Sequence, residues 1–274
     1  MDQLSLIPEI EITEQKIKAL DELFIGASLY NQSENYLKLL EFINRFPKLS
    51  PFNAFLVYNQ NPGVKVVMTP RKWKAYGRRI KPYARPLVIL IPFGPVSFVY
   101  DIADTEGAPV PEELTNPFKT TGDLPREYYE NMVVNSRAQF IEVVYNNLTS
   151  DTAGYVRRFS NKYQITLNEK WNLLVKYSTL IHELGHIFCG HQKPFNNSIW
   201  KDRSYLNREI REIEAESVSF LVCKRIGLET TAEQYLSSYV KNNETIPQIS
   251  LDTVLTVSGY IERMNFSDFK LRKK

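Results

Sequence analysis

The chain has 274 residues, 43% of them apolar, with 34 Lys and Arg against 31 Asp and Glu and a net charge of +3. That is enough apolar material for one large core or two smaller ones, and no apolar run approaches the length of a bilayer span. The opening Met-Asp-Gln-Leu-Ser lacks the charged-then-apolar layout of a signal peptide, and two cysteines, Cys189 and Cys223, suit a reducing compartment, so a cytoplasmic protein with no membrane partner is expected.

Taken in order, residues 14–30 and 34–46 read as amphipathic helices and 51–59 as a third, short one. Residues 64–68, 86–91 and 96–102 read as strands, with Pro92-Phe-Gly-Pro95 turning between the last two. From Phe42 to Tyr100 there is no Asp or Glu, while ten Lys and Arg fall there. The remainder, 24 basic against 31 acidic residues, carries −7, and this split suggests a polyanionic partner for the basic part. Its densest stretch interleaves Arg71, Lys72, Lys74, Arg78, Arg79, Lys81 and Arg85 with Trp73, Tyr76 and Tyr83. Cations neutralise phosphates and aromatic faces accept unstacked bases. Arg71, Lys72, Trp73, Lys74, Tyr76, Arg78, Arg79, Lys81 and Arg85 are therefore expected to contact single-stranded nucleic acid. No zinc finger or helix-turn-helix offers duplex reading. The competing reading puts Trp73 in the core and pairs the basic residues with the acidic remainder across an internal interface.

Prolines at 109, 111, 117 and 125, with Gly122, mark residues 107–125 as a linker, and Pro125 is placed to open a helix running to about Leu148. Tyr163-Gln-Ile-Thr-Leu-Asn168 alternates like a short strand. It is expected to be an edge strand, open to pairing with an extended segment by β-augmentation.

Apolar residues at 171, 173, 174, 177, 180, 181, 184, 187 and 188 recur with helical period through His182-Glu-Leu-Gly-His186. Two imidazoles four residues apart share one helix face and can grip a single Zn²⁺, while Glu183 can take a proton from a water that the metal activates. Gly185 costs about 1 kcal/mol against Ala in a helix, so a close approach by another backbone or by substrate is expected there. The longer pattern HExxHxxGxxH is absent: Gly190 and His191 each stand one place off, so Gly190 is expected to end the helix and His191 to cap its last carbonyls or sit near the site. Cys189 reads as a small buried apolar residue.

Residues 208–226 form a second helical run with Gly227 as its stop. Glu212 and Glu216 share one face and Glu214 points elsewhere. One of the pair is expected on the metal, and the other on a His ring N–H. Residues 232–241 and 251–263 read as closing helices, followed by a basic tail.

His182-Glu-Leu-Gly-His186, followed after a short gap by Glu212-Ile-Glu-Ala-Glu216, resembles the ImmA/IrrE family of small zinc metallo-endopeptidases and the peptidase half of ArdC-type antirestriction proteins. The likeness is sharp over about residues 175–226. It implies Glu212 as third zinc ligand and Glu216 in support. It also implies an intracellular endopeptidase that often cleaves a DNA-bound regulator. Ser50-Pro-Phe-Asn-Ala-Phe-Leu-Val-Tyr-Asn-Gln-Asn-Pro62, Trp73 and Gly77-Arg-Arg-Ile-Lys81 resemble, less sharply, the single-strand-binding domain of ArdC-type proteins.

The expected architecture is α+β. Residues 1–106 form N-terminal helices and a basic α+β module, and 107–125 a linker. Residues 126–243 form a mostly helical minimal zincin of the HExxH, gluzincin-like type with a small sheet, and 244–274 a C-terminal helix and tail. The expected function is zinc-dependent endopeptidase action on a protein, coupled to single-stranded nucleic-acid binding. The alternative is an antirestriction or protective protein that binds single-stranded DNA and whose zinc site is structural or a protein-binding platform.

Overall fold

The computed structural model describes residues 33–91, 96–110, 123–150, 152–242 and 245–272. The expected helix over 14–30, the turn at 92–95 and most of the 107–125 linker lie outside them. The fold is α+β, as the sequence patterns indicate.

Two helices open it, α1 (Ser33–Asn44) and α2 (Pro51–Gln60), the second started by a Ser50 cap and Pro51 at its first position. Three short antiparallel strands follow, β1 (Val67–Met68), β3 (Leu87–Ile89) and β4 (Ser97–Asp101), in the order β1-β4-β3. Between β1 and β3 come a one-and-a-half-turn helix, α3 (Pro70–Ala75), and β2 (Arg78–Ile80), which pairs with β5 (Thr105–Gly107).

Helix α4 (Arg126–Arg137) ends well before Leu148. Phe140 takes a left-handed φ of 60° and stops it, and the β-branched and aromatic run that follows becomes β6 (Ile141–Asn146). Strands β7 (Gly154–Arg158) and β8 (Tyr163–Asn168) complete a sheet ordered β6-β8-β7. The expectation of an edge position for residues 163–168 is corrected here. β8 is central, paired parallel with β6 and antiparallel with β7. Its Ile165, Leu167 and Thr166 are buried on both faces, which a central strand requires. Among the described residues β7 is an edge strand. Asn168 N–H donates to the Ala153 carbonyl and Phe159 N–H to the Lys162 carbonyl, so the backbone groups of residues 153 and 159 face β8. By alternation, those of Gly154, Val156 and Arg158 face the free edge.

Four helices finish the chain: α5 (Leu173–Phe188), α6 (Arg208–Arg225), α7 (Thr231–Asn242) and α8 (Leu251–Arg263). Asn172 and Asn207 cap α5 and α6, each accepting an N–H three residues on at 2.9 Å. Helices α5 and α6 are in extensive contact; α8 and α1 pack on α6, and β7 and β8 lie against α5. One hydrophobic cluster joins Tyr36, Leu39 and Leu40 of α1 to Leu180 and Leu184 of α5, Leu221 of α6 and Ile261 of α8. The α1 helix thus shares its core with the two helices of the His and Glu motifs. Arg225 fastens the junction: its guanidinium bonds the carbonyls of Ile43, Phe46, Pro47 and Leu49 at the end of α1, and Glu262 of α8. Among the described residues, no helix is long and apolar enough to cross a membrane.

Candidate metal centre

Gly185 sets the distance between α5 and α6. A Cβ placed there would stand 3.4 Å from the Ala215 Cα and 3.6 Å from its Cβ, so the backbone that approaches it is that of α6. Glycine against alanine lets the helices touch, and the faces flanking the contact carry His182 and His186 on one side and Glu212 and Glu216 on the other.

The Nε2 atoms of His182 and His186 lie 3.1 Å apart, and each is 3.6 Å from Glu212 Oε2. Donors spaced around a tetrahedral zinc at about 2.0–2.1 Å stand about 3.3–3.4 Å from one another. The triangle therefore fits one small divalent cation, with two imidazoles and a carboxylate as donors. His182 Nδ1 lies 3.4 Å from Glu216 Oε1, and His186 Nδ1 lies 3.0 Å from His191 Nδ1. Each imidazole thus presents Nε2 to the centre and Nδ1 to a neighbour outside it.

Electrostatics reflect this crowding. Burial depresses His182, but the carboxylates of Glu216, Glu183 and Glu212 outweigh it and hold the ring up at about 9. Burial, assisted by His182 and His191, brings His186 down to about 4 against the pull of Glu212. The hydrogen bond with His186 is the largest influence on Glu212, which is held down at about 2. A cation at the centre would compete with protons for the Nε2 lone pairs. Glu183 is buried and its carboxyl is pushed up by loss of hydration, while the Val156 backbone amide on the free edge of β7 hydrogen-bonds to it. The site is open on one side, since about a third of the Glu212 side chain remains exposed.

Sequence reasoning missed two neighbours. Val156 is one, for nothing in Gly154–Arg158 marked a strand. Tyr235 of α7 is another, an exposed phenol shifted up by loss of hydration and by the carboxylates of Glu212, Glu216 and Glu209. Arg208 Nε lies 3.8 Å from Glu212 Oε1. Glu214 is fully buried, 2.9 Å from His191.

The basic stretch divides. Trp73 is corrected from a nucleic-acid contact to a core residue. Its ring is 0% exposed and its Nε1–H donates to the Tyr100 carbonyl at 2.9 Å, so no base can stack on it without opening β4. Arg78 is half-buried, and its guanidinium holds Thr105 and the Gly107 and Ala108 carbonyls. Lys81 donates to the Ala103 carbonyl and Arg79 pairs with Glu106 at 2.7 Å. Arg71, Lys72, Lys74, Tyr76 and Arg85 are exposed, as is Tyr83. An open cavity of about 460 Å³ is lined by Lys74, Arg78 and Arg79 with Gly77, Glu106 and Gly107.

Comparison with known proteins agrees with the metal motif. Residues 137–240 match the family model described as the IrrE N-terminal-like domain, Peptidase_M78, a metallopeptidase family. The matched segment runs from the end of α4 into α7 and contains both histidines, Glu183, Glu212 and Glu216. Among solved structures, the chain is similar to the metal-free antirestriction protein ArdC from the R388 plasmid, at 15% identity over 79% of this chain and 81% of that one, with a TM-score of 0.41. The Mn(II)-bound structure of the same protein gives 14% identity, 81% and 89% coverage, and a TM-score of 0.39. No curated protein sequence matches the chain.

Proposed function

We propose that the chain is a zinc-dependent endopeptidase acting on a protein substrate in the cytoplasm. The observation that carries this reading is the triangle of His182, His186 and Glu212 with a buried Glu183 beside it. Two imidazoles and one carboxylate suit zinc and leave a position for solvent. Bound zinc would supply Lewis acidity, polarising a carbonyl and lowering the pKa of water.

The chain's own residues supply the rest. Glu183 takes a proton from the attacking water and returns it to the departing amine, and its raised pKa suits both directions of transfer. The free edge of β7 receives the substrate as an added strand. Its Gly154 and Arg158 backbone groups face away from β8, and the Val156 amide, bonded to Glu183, sets that edge beside the base. Glu216 orients His182. Tyr235, which feels the Glu212 carboxylate, and Arg208, close to it, are groups able to stabilise a developing oxyanion. A DNA-bound regulator is the substrate class we favour.

Glu183→Gln tests this reading. Zinc content should be unchanged, and peptide cleavage should fall by roughly 10²–10⁴-fold. Unchanged turnover removes the proposal.

A second reading rests on the exposed part of the basic stretch. Arg71, Lys72, Lys74 and Arg85, with Tyr76 and Tyr83, form a surface suited to single-stranded nucleic acid. In this reading the chain is a protective, antirestriction-type protein that keeps its biological effect in Glu183→Gln and loses it when those cations are neutralised.

A further inference from the structure

We propose that His191, Glu214 and Arg203 form a buried positioning chain that fixes the tautomer and ring orientation of His186 before a cation arrives. The inference rests on the reading of His182, His186 and Glu212 as metal ligands.

It begins with how α5 ends. Gly190 has a φ of +80°, the His191 N–H returns to the His186 carbonyl at 2.9 Å, and the Gly190 N–H bonds the Ile187 carbonyl at 3.1 Å. This left-handed stop turns the chain back on itself and folds the His191 ring over His186. Gly190 tolerates no side chain: a Cβ would stand 2.0 Å from the Lys201 carbonyl oxygen. The Arg203 N–H closes the same turn onto the Gly190 carbonyl at 3.0 Å.

The proton positions then follow from one another. His186 Nε2 faces His182 and Glu212, and must keep its lone pair to act as a ligand. Its proton therefore sits on Nδ1 and is donated to His191 Nδ1, 3.0 Å away. Neutral His191 then carries its own proton on Nε2 and donates it to Glu214 Oε2 at 2.9 Å. Arg203 holds Glu214 through both terminal nitrogens, at 2.6 and 2.5 Å, and the Ser250 N–H at the start of α8 adds a bond of 2.7 Å.

Glu214 and the His191 side chain are 0% exposed. A carboxylate so placed is tolerated because a guanidinium neutralises it and hydrogen bonds fill its lone pairs. The same saturation excludes a second metal site at Cys189, His191 and Glu214, although these donors lie within 4.8 Å of one another. His191 Nδ1 is taken by His186, and the Glu214 oxygens are taken by His191, Arg203 and Ser250. What remains is a device that aims His186: each member has one proton arrangement, and the last is bolted to the loop after α5 and to α8.

The experiment is a zinc titration against a chromophoric chelator, with cobalt(II) spectra as a report on ligand geometry. His191→Phe keeps the ring volume and removes both nitrogens. It should bind zinc roughly 10–100-fold more weakly, with altered cobalt(II) bands. His191→Asn retains an acceptor near the place of Nδ1 and should recover most of that loss. Wild-type affinity in His191→Phe, or no recovery in His191→Asn, overturns the chain. Should His191→Phe fail to fold, nitrogen-15 NMR of the metal-free wild type decides, since it must show His186 protonated on Nδ1 and His191 on Nε2. The reverse tautomers overturn the proposal. A wild type that takes up no zinc overturns the ligand reading instead, and the tautomer measurement still judges the chain.

Discussion

The α5–α6 pair and the α3–β2 stretch are both rich in charge, and they use it in opposite ways. In the helix pair, Glu183, His191 and Glu214 are buried, and each has a partner at hydrogen-bond distance. In the basic stretch, Arg71, Lys72, Lys74 and Arg85 lie in solvent, and the apolar anchor is Trp73. Buried charge is costly unless its geometry is satisfied, so it fixes positions closely; exposed charge is cheap and fixes little. The first arrangement suits a reaction centre, and the second suits a surface that meets a flexible polyanion.

Mutations on the two sides should separate accordingly. The largest effect belongs to Glu212→Ala, which should remove most bound zinc and reduce peptide cleavage by more than roughly a thousandfold, as read by metal analysis and a peptide assay. Retained stoichiometric zinc would shift the third ligand to Glu216. Next, Glu214→Ala leaves Arg203 and His191 buried without their carboxylate and should cost about 3–5 kcal/mol in urea unfolding. Trp73→Ala should cost a similar 3–5 kcal/mol by opening the core under β4, and a variant of wild-type stability would return Trp73 to the surface.

Smaller effects sharpen the contrast. Neutralising Arg71, Lys72 and Lys74 together should leave the melting temperature unchanged and flatten the salt dependence of single-strand binding, measured by fluorescence titration. Zinc affinity should also weaken as pH falls. His182 of the metal-free protein is protonated below about 9, so zinc must displace one proton. The apparent dissociation constant should then rise by about tenfold per pH unit below that value, in a buffered chelator competition.

Much of the centre was legible because it is local. The four-residue spacing of His182 and His186 on an apolar helix, and of Glu212 and Glu216 on the next, follows from 3.6 residues per turn. Gly190 as a helix stop was equally plain. Other parts were not. Strand β6 was absorbed into a helix because the break depends on the single left-handed residue Phe140. Strand β8 was read as an edge, since alternation over six residues says nothing about which neighbours cover its sides. Trp73 was ambiguous because a tryptophan among cations reads alike as a stacking face or an anchor.

Taken alone, then, the residues determined the helices that carry the His and Glu motifs, the candidate metal donors and the segregation of positive charge, all properties of short-range spacing and composition. Only packing decided that β7 and not β8 offers a free edge beside Glu183, and that Arg78 serves a neighbouring strand. Packing also decided that Glu214, facing away from its two flanking acidic neighbours, meets a histidine and an arginine in the interior. These depend on which segments distant in sequence come together, and that is set by filling one continuous core and satisfying every charge enclosed within it.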